Sequence, residues 1–301
     1  TRHPMIRTWL AAFRLRTLSL AFASVVTGGA LARVEGAFSA SVFGLCLLTT
    51  LFLQVLSNLA NDYGDFMRGT DGSDRIGPAR SVQSGAISPR AMRSALVAFA
   101  VLSLASGVAL LLAADLRTAH LLGLLALGLT AIWAAIAYTV GRNPYGYRAL
   151  GDVFVFLFFG LVGVYGTAFL LHGQWISLQL LPAAGIGLLA ASVLHINNMR
   201  DHRGDARSGK RTLAVVLGFE RSKTWFGLIT ITAFVLFIGY CYASGFDNRQ
   251  YLWLITAPLF AFHIKKVLRT IDPADLDPLL KRTVLGTFAL SLLFLLATFM
   301  P

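Results

Sequence analysis

Residues 40–65 read ASVFGLCLLTTLFLQVLSNLANDYGD, a long apolar run that ends in a cluster of amides and carboxylates. Residues 180–205, LLPAAGIGLLAASVLHINNMRDHRGD, repeat this pattern later in the chain. Each run is long enough to cross the ~30 Å hydrocarbon core of a bilayer as a helix. The two stretches therefore predict transmembrane helices whose acidic ends lie at the membrane surface.

The rest of the 301-residue chain continues the apolar pattern: 56% of its residues are hydrophobic and 13% are charged. Soluble domains are roughly 25% charged, so we predict an all-α polytopic membrane protein. We expect a single domain over 1–301, with two weakly repeated halves at about 1–140 and 141–301. Nine transmembrane helices should surround a central cavity beneath a cytoplasmic cap. The expected spans are 16–34, 39–60, 92–114, 118–140, 152–172, 177–198, 224–244, 250–264 and 283–300.

The net charge of +12 follows the membrane topology rather than a nucleic-acid surface. Almost all of the 26 Lys and Arg residues lie before the first span or in alternate loops. The positive-inside rule then predicts a cytoplasmic N-terminus. The expected location is a bacterial cytoplasmic (inner) membrane. Spans two and six run in the same direction, so both acidic clusters should face the cytoplasm.

The acidic clusters have helical spacing. Asp62 and Asp65 are three residues apart, and Asp201 and Asp205 four apart, so each pair should share one helix face. Crowded carboxylates at a membrane edge repel each other unless a cation lies between them, and Mg²⁺ prefers oxygen ligands together with substrate phosphates. We therefore predict a pocket for Mg²⁺ and a diphosphate, with interfacial salt bridges as the alternative. The amides on the buried side of the clusters are Asn58, Asn61 and Asn197.

Basic and aromatic residues near these clusters are candidate diphosphate ligands, since Arg binds phosphate through two hydrogen bonds at once. An aromatic belt with positive-inside arginines is the alternative. The candidates are Arg75, Arg80, Tyr138, Arg142, Lys210 and Arg211.

Several features leave two interpretations open. Asp152, at the start of span five, is either a base or an acid at a helix N-terminus. The run 154–159 is either lipid-facing bulk or the lining of an apolar tunnel. We expect His195 to be packed or hydrogen-bonded rather than catalytic. We also expect a short cap helix to begin near Ser88 and Pro89.

Glycines and cysteines have simpler interpretations. Gly160, Gly163 and Gly166 should permit close helix packing, with a cavity wall as the second choice. Cys46 and Cys241 lie in apolar spans without a partner motif, so disulfide or zinc chemistry is unsupported.

Other classes of membrane protein fit less well. Transporters place ionisable groups near the bilayer midplane. Here Asp, Glu, Lys and Arg are confined to span ends and loops, which disfavours a secondary transporter for a small anion. A phosphatidyl-alcohol transferase carries its acids in one closely spaced motif, whereas here they form two distant ones.

The motifs Asn61-Asp62-x-x-Asp65 and Asp201-x-x-x-Asp205, in nine helices, resemble those of the UbiA superfamily of intramembrane aromatic prenyltransferases. The strings 58–66, 74–78, 138–141, 144–147 and 197–201 are similar to its 1,4-dihydroxy-2-naphthoate polyprenyltransferase branch. A departure is Gly69, which stands where the superfamily usually carries a further Asp; Asp71 comes two residues later.

This resemblance implies Mg²⁺-dependent transfer from a polyprenyl diphosphate to 1,4-dihydroxy-2-naphthoate, with loss of CO₂ and diphosphate, giving demethylmenaquinone. Another acceptor, such as 4-hydroxybenzoate or a tetrapyrrole, is the alternative. It implies metal ligation by Asn61, Asp65, Asp201 and Asp205, with assistance from Asp62 and Asp71. It also places Arg14, before span one, near the substrate.

Overall fold

The structure is a computed structural model that describes residues 3–70 and 80–300. Twelve α-helices and several short helical turns occur in these two ranges, and the helices are numbered in chain order. They are α1 His3–Phe13, α2 Leu15–Val34, α3 Ala40–Arg68, α4 Pro89–Ala113, α5 Thr118–Ala137, α6 Gly151–Val155, α7 Gly166–His172, α8 Leu180–Arg207, α9 Leu213–Leu217, α10 Phe219–Ala243, α11 Ala257–Arg269 and α12 Asp277–Ala297.

Nine helical segments in the described ranges are long and apolar enough to cross a membrane, which confirms the predicted all-α polytopic fold. Three of them end later than predicted. The second continues past residue 60 to Arg68, and the sixth continues past residue 198 to Arg207. The eighth is also longer than predicted, because a short 3₁₀ segment from Asn248 leads into α11.

Hydroxyl caps fix the beginnings of several helices. The Ser39 hydroxyl accepts a hydrogen bond from the Val42 amide at 3.4 Å and begins α3. Ser88 accepts from the Ala91 amide at 3.2 Å, with Pro89 in the first turn. The capping prediction at Ser88 is therefore confirmed, but the expected short cap helix is wrong. The helix that begins there is the 25-residue transmembrane helix α4 itself.

Span five is interrupted by a π-helical segment, Phe156–Tyr165, between α6 and α7. The Gly166 amide accordingly bonds to the Leu161 carbonyl five residues earlier. Gly160 lets this segment approach α8 closely, since an added Cβ would lie 2.6 Å from the Ala183 carbonyl oxygen. Gly163 similarly faces Ser24 of α2. The close-packing prediction holds for these two glycines. It is wrong for Gly166, which has open space around it and instead fits the second choice, since it lines a cavity wall.

Loops from three parts of the chain meet where α3 and α8 end. The Thr139 hydroxyl donates to the Ala60 carbonyl at 2.8 Å, which ties the end of span four to α3. The Ala149 amide donates to the Arg211 carbonyl at 2.6 Å and links the loops after α5 and α8. These contacts form the predicted cap at the end of the bundle that carries both acidic clusters.

Candidate active site

A cavity of about 410 Å³ lies between α2–α5, span five and α8. Ten polar side chains form its polar end at the capped end of the bundle, and most of the remaining wall is apolar, with scattered hydroxyls and one Gln. The polar end comprises Arg14, Thr17, Asn58, Asn61, Asp65, Arg80, Tyr138, Asn197, Asn198 and Lys210.

Asp65 is the centre of the polar end. It is 1% exposed, and its carboxylate accepts a hydrogen bond from the Arg80 guanidinium at 2.6 Å. The Tyr147 hydroxyl donates to the other carboxylate oxygen at 2.8 Å, and Lys210 Nζ lies 3.7 Å away. A single carboxylate thus gathers two cations at the cavity wall, where an anionic substrate group would meet them.

Asp62 and Asp65 do share one helix face, as their spacing predicted. Arg80 spans both carboxylates, since its Nε lies 3.8 Å from Asp62 Oδ1 while it bonds to Asp65. The Ser81 amide also donates to Asp62, at 3.1 Å. Asp62 is held behind the wall by these contacts, and Asp65 reaches the cavity.

The amides of α3 differ in their partners. Asn58 donates to the Phe13 carbonyl and to the Thr17 hydroxyl, both at 2.9 Å, and so fixes the segment that carries Arg14. Asn61 faces the cavity, and its buried Oδ1 has no hydrogen-bond partner among the described residues. A buried amide oxygen without a hydrogen-bond partner, close to a carboxylate, is a suitable ligand for a hard cation such as Mg²⁺.

The second acidic cluster is arranged differently from the prediction. Arg200 binds Asp201 through two hydrogen bonds, at 2.8 and 2.7 Å. The same guanidinium bonds to Asn197 at 2.9 Å and forms an ion pair with Asp277 of α12. Neither Asp201 nor Asp205 lines the cavity.

The expectation that four carboxylates face one common volume is therefore wrong, because Arg200 pairs with Asp201, Arg80 and Ser81 hold Asp62 behind the wall, and Asp65 alone of the four lines the cavity. Within residues 3–70 and 80–300, no three acidic, His or Cys side chains are gathered as a ready metal site. The ligand roles assigned to individual residues stay predictions.

The remaining candidates fall into three groups. Tyr138 and Lys210 line the cavity as predicted diphosphate ligands would. Arg142 and Arg211 are exposed and do not line it. The predictions for Asp71, Arg75 and a replacement for the acid missing at Gly69 concern residues outside the described ranges or depend on them.

Asp152 is buried and hydrogen-bonded to His195, whose Nδ1 lies 2.9 Å from its Oδ2. His195 is therefore hydrogen-bonded, as expected. Both cysteines are buried as free thiols, also as expected.

Tyr147 is a site residue that was not among the predicted ligands. Its ring also lies beside two cations, with Arg68 at 5.0 Å and Lys210 at 5.3 Å from its centre. Burial raises the pKa of the Tyr147 phenol, and the nearby negative charge of Asp65 raises it further. The phenol therefore stays protonated and keeps donating to Asp65. The short aromatic loop at 145–147 was the sequence signal for it.

The apolar wall decides between the two interpretations of the run 154–159. Phe154, Phe158 and Phe159 line the cavity, which favours the tunnel. Leu104 and Val108 of α4 and Leu129 of α5 line it too, yet they are 40%, 39% and 49% exposed at the surface of the bundle. The cavity therefore opens sideways between α4 and α5, towards the position of lipid.

The chain belongs to the UbiA prenyltransferase family, whose model matches residues 21–293, and it is a prenyltransferase. It is 42% identical to the 1,4-dihydroxy-2-naphthoate octaprenyltransferase of Escherichia coli over 98% of this chain and 96% of that one. It is equally similar, at 42%, to the enzyme of that name from Haemophilus influenzae, with 96% and 94% of the two chains covered.

The fold is similar to solved members of the family. One is a UbiA homologue from Archaeoglobus fulgidus bound to GPP and Mg²⁺, with a TM-score of 0.65 at 18% identity over 97% of this chain and 98% of that one. At this identity the likeness concerns the fold.

Proposed function

We propose that this protein transfers a polyprenyl group from its diphosphate to 1,4-dihydroxy-2-naphthoate, with loss of CO₂ and diphosphate, to give demethylmenaquinone. The observation that carries the proposal is a single cavity with a charged end and an apolar wall. Asp65, Arg80 and Lys210 form the charged end, and the apolar wall opens sideways. The near-full-length similarity to octaprenyltransferases with this acceptor in their names supports the acceptor class.

The diphosphate head of the donor binds at the polar end. Lys210 and Arg14 line this end and offer positive charge to its phosphates, while Arg80 is anchored by Asp65. Fixed cations aimed at the bond that breaks stabilise the charge that develops on the leaving diphosphate. The polyprenyl tail lies along Phe154, Phe158 and the apolar faces of α4 and α5.

Mg²⁺ fits the donor set at this end. Asn61 offers an unpaired oxygen and Asp65 a carboxylate, both on the cavity wall. Asp201 and Asp205 complete the set if Asp201 exchanges its bonds to Arg200 for the metal. When bound, the ion neutralises phosphate charge and so assists departure of the diphosphate.

The acceptor binds beside the allylic carbon of the donor, near Asn58, Asn197 and Arg14. The cap and the apolar wall exclude water, which protects a cation-like allylic carbon from hydrolysis. We place the protein in a bacterial inner membrane with this site on the cytoplasmic side, because the loops that form the cap carry most of the positive charge.

The test is mass spectrometry of the product formed by purified protein from dihydroxynaphthoate, a polyprenyl diphosphate and Mg²⁺. We expect demethylmenaquinol, and its quinone after air oxidation, and we expect formation to stop when a chelator is added and to resume with excess Mg²⁺. Competition with 4-hydroxybenzoate in the same assay identifies the preferred acceptor. Prenylated hydroxybenzoate as the main product would contradict the proposed acceptor.

A further inference from the structure

Asp152 and His195 form a buried pair to which the reaction described so far assigns no role. They come from α6 and α8, are 6% and 0% exposed, and are joined by the 2.9 Å bond between His195 Nδ1 and Asp152 Oδ2. Their other polar atoms, Asp152 Oδ1 and His195 Nε2, are buried without a hydrogen-bond partner among the described residues. Buried polar atoms are usually paired, and an exception calls for an explanation such as a chemical role.

Tyr138 lies between this pair and the cavity. It lines the cavity, and its hydroxyl lies against Gly151, where an added Cβ would come within 3.0 Å of the phenolic oxygen. Gly151 directly precedes Asp152, and Leu194, another residue of the cavity wall, directly precedes His195. The pair therefore lies just behind the wall of the cavity, next to the hydroxyl of a residue that lines it.

The electrostatic surroundings keep this hydroxyl neutral. Burial raises the pKa of Tyr138, and the charge of Asp152 raises it next, followed by those of Asp65, Tyr145 and Asp205. A neutral phenol beside a carboxylate can accept a proton on its oxygen while it passes on its own.

We propose that Asp152 and His195 are positioning residues that take up a ring-hydroxyl proton of the aromatic acceptor through Tyr138 and later return it. This inference rests on the proposed function. The acceptor hydroxyl gives its proton to the Tyr138 oxygen. The phenol, which makes no hydrogen bond to Asp152 in the structure, turns towards the unpaired Oδ1 of Asp152 and passes its own proton there, while Oδ2 stays bonded to His195. The acceptor is thereby converted into a naphtholate, which is a stronger carbon nucleophile.

The remaining steps balance without another reagent. The electron pair of the naphtholate oxygen forms a carbonyl, while the ring carbon that carries the carboxylate bonds to the allylic carbon and the carbon–diphosphate bond breaks. The carbon–carboxylate bond then breaks, CO₂ leaves, and the electron pair returns through the ring to the oxygen. That oxygen recovers the proton from Tyr138 and Asp152. Because the same proton is returned within one turnover, Asp152 and His195 need not exchange protons with water. This agrees with their burial.

The test compares Asp152→Asn, His195→Gln and Tyr138→Phe with Ser192→Ala, in the purified full-length protein. Ser192 is a matched control because it is buried in α8 and bonds only to its own helix, at the Leu189 carbonyl. General acid–base groups contribute about 10²–10⁴-fold, so we expect kcat to fall by about 100-fold in Asp152→Asn, with the KM for polyprenyl diphosphate unchanged. His195→Gln should show a smaller loss, and Ser192→Ala none.

A pH profile separates this role from a structural one. Above the ordinary phenol pKa of about 10 the acceptor ionises by itself, so the rates of the Asp152 and His195 variants should rise towards the wild-type rate at alkaline pH. Melting temperatures and donor binding measured on the same preparations show whether each variant is folded.

The inference is overturned if folded Asp152→Asn keeps the wild-type kcat, or if its loss is the same at every pH. Failure of the proposed function has a different signature: wild-type protein would bind polyprenyl diphosphate but leave dihydroxynaphthoate unmodified at every pH.

Discussion

Asp65 is the carboxylate on which the polar end of the cavity depends, because Arg80, Lys210 and Tyr147 all point to it. Its spacing from Asp62 was readable from the sequence, since residues three apart share a helix face. The Asp201–Arg200 contact was not readable. Neighbouring residues on a helix do not ordinarily face each other, and Asp277, the third member of that ion-pair network, lies far away in the sequence.

Removing the charge of Asp65 should strongly reduce activity. In Asp65→Asn, Arg80 and Lys210 lose their shared anchor and the metal loses a carboxylate, so we expect kcat/KM to fall by at least about 100-fold, the scale of a lost transition-state electrostatic contact. Product formation measured by mass spectrometry checks this. Asp115→Asn, an exposed position between α4 and α5, is the matched control and should keep full activity. Near-normal prenylation by Asp65→Asn would contradict the assignment.

Tyr147→Phe should have a milder effect that does not depend on pH. The variant loses one hydrogen bond to a charged group, which contributes about 1.5–3 kcal/mol, so we expect about a tenfold or greater loss in kcat/KM. The raised pKa of Tyr147 keeps the phenol protonated up to and beyond its ordinary value of about 10. The wild-type to variant ratio should therefore stay constant between about pH 7 and pH 10. A ratio that collapses below pH 10 would show that the phenol ionises there and no longer donates.

At the scale of helices, hydropathy and capping residues predicted the positions of the spans. Two features of the helices could not be predicted from the sequence. The lengths of α3 and α8 were underestimated because their last turns are polar, and these turns carry the acidic clusters. The π-helical segment in span five changes which residues share a face, so a 3.6-residue period could not assign Gly160, Gly163 and Gly166 correctly. The three-dimensional packing of span five is needed to separate Gly160 and Gly163, which contact neighbouring helices, from Gly166, which does not.

Gly160→Ala should destabilise the bundle, because the new methyl group would meet the Ala183 carbonyl oxygen at 2.6 Å. Overpacking of this kind costs about 1–3 kcal/mol, and we expect a lower melting temperature in detergent. Gly166→Ala is the control in the same span: it has open space and gains helix propensity, so its stability should be unchanged or higher. Equal melting temperatures for the two variants would contradict the close contact between span five and α8.

At the scale of the whole molecule, the fold class and the number of spans in the described ranges follow from composition and hydropathy, as predicted. The orientation in the membrane stays a prediction, as do the two weakly repeated halves. The position of the cavity could not be derived from the sequence, because it depends on how α2–α5 pack against span five and α8.

Orientation can be tested with single cysteines in a background that lacks Cys46 and Cys241. In intact cells, a membrane-impermeant maleimide should label Gln174→Cys, at the end of span five away from the cap. It should not label Ser208→Cys, beside the second acidic cluster. Permeabilised cells, in which both should react, provide the control. The reverse pattern would place the cap outside the cell.

The sideways opening at Leu104, Val108 and Leu129 has a consequence for which donors are accepted. A pocket with a closed end measures the length of its ligand, whereas a slot that continues into the bilayer leaves the far isoprene units in surroundings as oily as the slot itself. The enzyme then does not select the length of the prenyl chain. The number of isoprene units on the finished quinone is set by the polyprenyl diphosphates that the cell synthesises.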